Sequence, residues 1–149
     1  MMDPSLPLSV THEVRERCLC LHVQRAARVL ARRFDEALRP FGVTNGQFSL
    51  MMSLNRPVGP RISDLVPFLG MDRTTLTAAL KPLERRGLVV SDPDEADRRA
   101  RRLRLTDAGR ALLAEALPAW RATHDAVDAA LKPVNPQDLR DGLMALVTD

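Results

Sequence analysis

The chain has 149 residues, 45% hydrophobic and 28% charged, the size and balance of one domain with a buried core rather than of a disordered or low-complexity chain. No apolar run approaches the ~20 residues of a bilayer-spanning helix, and Met1 to Ser9 lack the basic start and long apolar centre of a secretion signal, so the chain reads as cytoplasmic with no membrane partner. The net charge of +3 decides little, but its distribution is uneven: residues 111–149 hold 3 basic and 6 acidic side chains, whereas five arginines crowd the seven residues from Arg98 to Arg104.

From Thr11 to Arg39 there is no Gly or Pro, and Val14, Cys18, Leu21, Ala27, Leu30, Phe34 and Leu38 recur at helical spacing, which predicts one long helix. At 1.5 Å per residue it would measure ~43 Å against a domain diameter of ~40 Å, so it should project or pair with another chain. A second helix runs from Thr44 to about Asn55, ended by Pro57, Gly59 and Pro60. Two shorter helices follow, Ile62 to Leu69 and Asp72 to Arg86, with Gly70 and Met71 at the corner between them, a helix-turn-helix. Asp72 is placed to cap the second, Gly87 to stop it, and Pro82 to bend it or end it early. Leu88 to Val90 and Leu103 to Leu105 read as two strands around a polar tip from Ser91 to Arg99. Thr106 then caps a long helix to about Leu131, with a kink expected at Pro118, and Asn135 and Pro136 open a last helix striped by Leu139, Leu143 and Leu146. The fold class is therefore mainly α with a small β-hairpin wing.

In the second helix of the helix-turn-helix, Arg73, Thr74, Thr75, Thr77 and Lys81 offer donors near an end whose partial positive charge favours phosphate. Arg can pair with guanine, and Thr can offer a hydroxyl or a methyl to thymine. The alternative for the threonines is capping alone. On the wing, Arg98, Arg99 and Arg101 are candidates for a minor groove or its phosphates. Alternation puts Arg102 and Arg104 on one strand face and Arg101 on the other with Leu103 and Leu105, so not all five should touch DNA. The acids Asp92, Asp94, Glu95 and Asp97 could instead neutralise the run.

The segments MDRTTLTAALKPLERRGLV (residues 71–89) and DPDEADRRARRLRLTDAGR (residues 92–110) resemble the recognition helix and wing of the MarR family of bacterial regulators. The resemblance implies six helices and one hairpin, and a homodimer interlocked by its first, fifth and sixth helices. Residues 1–43 would then be a dimerisation helix, 44–106 the winged helix-turn-helix, and 107–149 the C-terminal dimerisation helices. It also implies that Asp97 steadies the wing through an arginine such as Arg99. The function expected is a sequence-specific repressor on double-stranded DNA, reading half-sites about 10 bp apart in a pseudo-palindrome, and released by a small aromatic or anionic effector. His22, Arg25, Phe48 and Met52 are the effector candidates, with ordinary core the alternative for Phe48 and Met52.

Cys18 and Cys20 point about 200° apart if both lie within one helix and could not bridge there. Cys20 falls eight residues before Arg28, as in the peroxide-sensing branch of that family, but the branch activates its thiolate with tyrosine hydroxyls and this chain has no tyrosine. An inert cysteine is the default, and redox sensing or an intersubunit bridge the alternative. The three histidines His12, His22 and His124 show no metal-ligand spacing, so no metal or other cofactor is expected. No nucleophile with a paired base and no phosphate-cradling glycine loop emerges, which argues against an enzyme. The rival from another class is a winged-helix protein-interaction module binding an acidic partner.

Overall fold

The apolar stripe over Thr11–Arg39 forms two helices, not one. In the computed structural model, which describes Met1 and residues 3–147, α1 (Leu8–Arg17) and α2 (Leu19–Leu38) meet at Cys18, whose extended backbone (φ −68°, ψ 97°) separates them. The Cys18 sulfur accepts from the Leu21 amide at 3.5 Å, and its carbonyl accepts from the His22 amide at 3.2 Å and from the ring Nδ1 at 2.8 Å. These local acceptors stand in for the interrupted helical ladder. α1 buries no residue. The ~43 Å rod is thus replaced by a helix of ~30 Å and a shorter arm.

A 3-10 turn (Arg39–Phe41) and Gly42, at φ +71°, carry the chain from α2 into α3 (Asn45–Ser53). Thr44 and Gln47 cap α3 reciprocally, each side chain bonded to the other's amide. Asp35 on α2 accepts from the Asn45 amide at 2.7 Å and its side chain at 2.9 Å, and the amide bond above all holds its carboxyl below the usual carboxylate range.

α4 (Ile62–Leu69) turns at Gly70 (φ +65°) into α5 (Arg73–Arg85), which buries Leu76, Leu80 and Leu83. Contrary to the early end considered from Pro82, α5 continues through it to Arg85; only the bond from residue 82 to the Ala78 carbonyl is forgone. The hairpin is longer than expected. β1 (Val89–Pro93) pairs antiparallel with β2 (Arg101–Leu105), from Val89 opposite Leu105 to Pro93 opposite Arg101. The tip therefore shrinks to residues 94–100, closed by the Asp94 amide on the Ala100 carbonyl at 3.0 Å.

A third edge completes the sheet: Arg61 bridges to Arg102, and the Leu103 amide donates to the Pro60 carbonyl at 2.9 Å. Gly59 lets this edge approach, since a Cβ there would overlap the Leu103 carbonyl oxygen. α6 (Asp107–Ala130) starts at the Thr106 cap and runs through Pro118, and α7 (Pro136–Ala145) follows the Asn135 cap without burying a residue. Among the described residues there are thus seven α-helices where six were expected. Leu38, Met51, Leu65, Leu76, Leu83, Leu103 and Leu105 form the core between helices and hairpin. On its α6 side Trp120 stacks on Phe48 at 6.0 Å and lies 4.8 Å from His124. No helix is long and apolar enough to cross a membrane among the described residues.

Candidate nucleic-acid interface

The buried leucines of α5 face the core, so the helix shows its other side to solvent, with Arg73, Thr74, Thr77 and Lys81 exposed. Three of these, Arg73, Thr77 and Lys81, follow one another at four-residue intervals and share a face. The threonines differ in state. Thr75 belongs to the cap: its amide donates to Asp72 Oδ1 and its hydroxyl to Oδ2, both at 2.8 Å. Those bonds, the amide first, keep the Asp72 carboxyl below the usual range. Thr77 donates its hydroxyl to the Arg73 carbonyl at 2.8 Å, which leaves its methyl and oxygen lone pairs outward. The capping reading therefore holds for Thr75.

The wing divides its arginines. Leu103 and Leu105 point into the core, while Arg102 and Arg104 take the opposite strand face and are held there. Arg104 pairs with Asp92 at 2.7 Å and Arg102 donates to the Gly59 carbonyl at 2.8 Å. Arg101 is folded back onto Ser91, bonding its hydroxyl and carbonyl at 2.8 Å each. Among the described residues the Arg98 and Arg99 guanidiniums have neither an ion pair nor a side-chain hydrogen bond, so the tip presents two uncommitted cations. Asp97 accepts at 3.1 Å from the backbone amide of Arg99, not from its guanidinium; it steadies the turn as an Asx motif does.

Sequence reasoning missed the pair that fixes the wing's root. Asp94, 3% exposed, contacts the Arg61 guanidinium, receives Arg102 Nε at 3.4 Å and accepts from the Ala96 amide at 3.0 Å. The amide, then the two arginines, keep its carboxyl below the ordinary value despite burial. The acids beside the arginine run were read as general neutralisers. Its local signal, a turn acid two residues before an amide it accepts from, is shared by Asp97 and gave no hint of Arg61.

The effector candidates are not brought together. His22 and Arg25 line a groove of about 450 Å³ between α2 and the α6–α7 end, with Val29, Leu30, Leu131 and Leu139. Phe48 is 4% exposed in the core, and half-buried Met52 lines a separate cleft with Asn55, Arg110 and Leu117. Cys18 and Cys20 are free thiols, but Cys18 stands at the helix break, so the geometry that forbade a bridge within one helix does not apply. No cluster of three or more His, Cys, Asp or Glu suited to a metal occurs among the described residues.

A helix-turn-helix continued by a two-stranded wing, with a cationic helix end and a cationic tip, is a winged helix-turn-helix. Residues 43–100 match the profile of the MarR family. The chain is 33% identical over 95 residues to the transcriptional activatory protein BadR of Rhodopseudomonas palustris, covering 62% of this chain and 54% of that one. It is 33% identical over 104 residues to the transcriptional repressor MprA of Escherichia coli, covering 67% and 56%. The chain thus spans little more than half the length of these curated relatives. The solved structure of the M. tuberculosis transcriptional regulator MosR in complex with DNA superposes with a TM-score of 0.79 at 37% identity, over 88% of this chain and 94% of that one. The chain belongs to the MarR family.

Proposed function

We propose that the protein is a non-enzymatic, sequence-specific regulator of transcription that binds duplex DNA as a homodimer and represses. The observation that carries the DNA reading is the exposed cationic face of α5 beside a wing tip whose Arg98 and Arg99 are uncommitted. The likeness to a regulator solved on DNA supports it. α5 enters the major groove and the wing the minor groove, with Arg73, Thr74, Thr77 and Lys81 on bases or phosphates and Arg99 at the tip. Dimerisation through residues 1–43 and 107–149 is supported by apolar side chains left uncovered there: Leu8, Val14, Val29, Leu143 and Leu146 are all at least 41% exposed. One similar protein is a transcriptional activatory protein and another a transcriptional repressor, and repression is the role proposed for this chain.

Release by an effector rests on the groove between α2 and α7. Its floor is apolar, and its rim carries His22, Arg25 and Arg33, which suits a small aromatic anion. A second reading is favoured by the helix break at Cys18: peroxide oxidises the Cys18 and Cys20 thiols to a disulfide, itself reduced to two waters, and the altered arm repositions α2. The test of the main reading is selection of binding sites from a random duplex pool, followed by salt titration and sedimentation. A dimer on one inverted repeat, with affinity falling at a logarithmic slope of ~0.9 per neutralised phosphate, is the expected result. A monomer indifferent to base order would leave the interaction-module alternative.

A further inference from the structure

Between the start of α4, the start of α5 and the wing lies a small cleft of about 120 Å³, with Arg61, Ser63, Arg73, Arg99 and Arg101 on its walls. Four arginines from three separate segments line it: Arg61 before α4, Arg73 of α5, and Arg99 and Arg101 of the wing. Their commitments are few. Arg61 leans on Asp94 behind it, and Arg101 is bonded to uncharged Ser91. Arg73 and Arg99 have no ion pair or side-chain hydrogen bond among the described residues. The nearby acids Asp64 and Asp72 spend carboxylate oxygens on the Arg61 and Thr75 amides, capping the two helices. Asp64 and Asp72 keep their charge while capping, so with Asp94 three carboxylates stand against four guanidiniums, but none of the three lines the cleft, whose walls carry four arginines and no acid.

We propose that this cleft seats one phosphate group of the DNA backbone, the one that lies between the groove read by α5 and the groove read by the wing, and that Arg61 and Ser63 are DNA contacts. The proposal rests on the DNA-binding reading and adds to it a position and two residues. The ligand chemistry is that of a phosphate oxyanion. Its source is the backbone, because Arg73 belongs to the first turn of the helix and Arg99 to the wing tip, so a strand passing from one to the other crosses the cleft. Arg guanidiniums suit this role by presenting paired donors to two phosphate oxygens.

The experiment replaces single phosphates of the selected duplex by uncharged methylphosphonates, one position at a time, and measures affinity for the full chain and for Arg61→Gln. The wild type should lose about tenfold or more at one position per half-site. Arg61→Gln should lose nothing further at that position while staying sensitive elsewhere, and its salt slope should fall by ~0.9 per cleft. Because Arg61→Gln also strips Asp94 of a partner, Arg99→Gln, whose side chain supports nothing else, is measured in parallel and should show the same loss of sensitivity. The proposal is overturned if both folded variants keep the wild-type slope and the same methylphosphonate profile. It is equally overturned if millimolar inorganic phosphate competes at the cleft while no backbone position matters, which would make it a free-anion site. Failure to bind any duplex would instead bring down the DNA reading itself, and this site with it.

Discussion

The Arg61 guanidinium lies on the Asp94 carboxylate, joining the residue that precedes α4 to the turn that opens the wing tip. Arg102 reaches the same carboxylate from β2 and the Gly59 carbonyl besides. The wing is thereby fastened to the helix-turn-helix by charge as well as by strand pairing, and the two cationic probes are held in one relative orientation. Removing one partner of such a buried pair is costly because the other is left without compensation.

Asp94→Asn should lower the melting temperature by several degrees at pH 7 and weaken DNA binding. The carboxyl's folded-state pKa is depressed, so its contribution is complete above the unfolded value of about 3.9 and is lost as the pH falls through the lower folded value. Melting curves of both proteins between pH 7 and pH 3 should therefore converge below about pH 4. A gap that stays constant with pH would assign the effect to shape alone.

Arg73→Ala should change which base is preferred in the half-site, by about 1–3 kcal/mol for a lost base contact. Arg99→Ala should weaken all sequences alike and reduce the salt slope by about 1. Neither should move the melting temperature, since neither guanidinium supports the fold. Thr75→Ala differs, because its hydroxyl serves the Asp72 cap; a loss of stability should accompany any change in preference. Binding titrations on the selected duplex, paired with melts, separate the three.

Two glycines should respond oppositely to alanine. At Gly59 the added carbon meets the Leu103 carbonyl oxygen, so the third edge must part from β2 and the wing should loosen, with loss of stability and of DNA affinity. At Gly142, inside α7, nothing lies within 4 Å, and alanine should stabilise by about 0.5–1 kcal/mol. Denaturant titration reads both.

Much of the local structure was legible because its causes are local. Asp72 and Thr106, read as caps, each cap the helix that follows, and a side-chain oxygen beside free amides needs nothing from the rest of the chain. Alternation along Arg101 to Leu105 likewise divided the arginines between faces. The break at Cys18 was not legible, since its stripe is periodic and free of Gly and Pro. Nor was the Arg61–Asp94 contact, which joins distant segments and depends on how the third edge docks. The effector candidates scattered because nearness along two helices does not say which side of each helix the core takes.

Peroxide should leave DNA affinity unchanged if an effector governs release. Release by peroxide that vanishes in Cys20→Ser, with a disulfide found by mass analysis between Cys18 and Cys20, would put thiol oxidation in its place.

One guanidinium carries a mechanical corollary. Arg86, just past the end of α5, donates to the Gly42 carbonyl at 2.6 Å, pinning the tail of that helix to the foot of α2. With the tail pinned, the thirteen residues of α5 act as a lever ~20 Å long. A tilt of a few degrees at the foot of α2 becomes a displacement of an ångström or more at Arg73, enough to take a side chain out of register with its base edge.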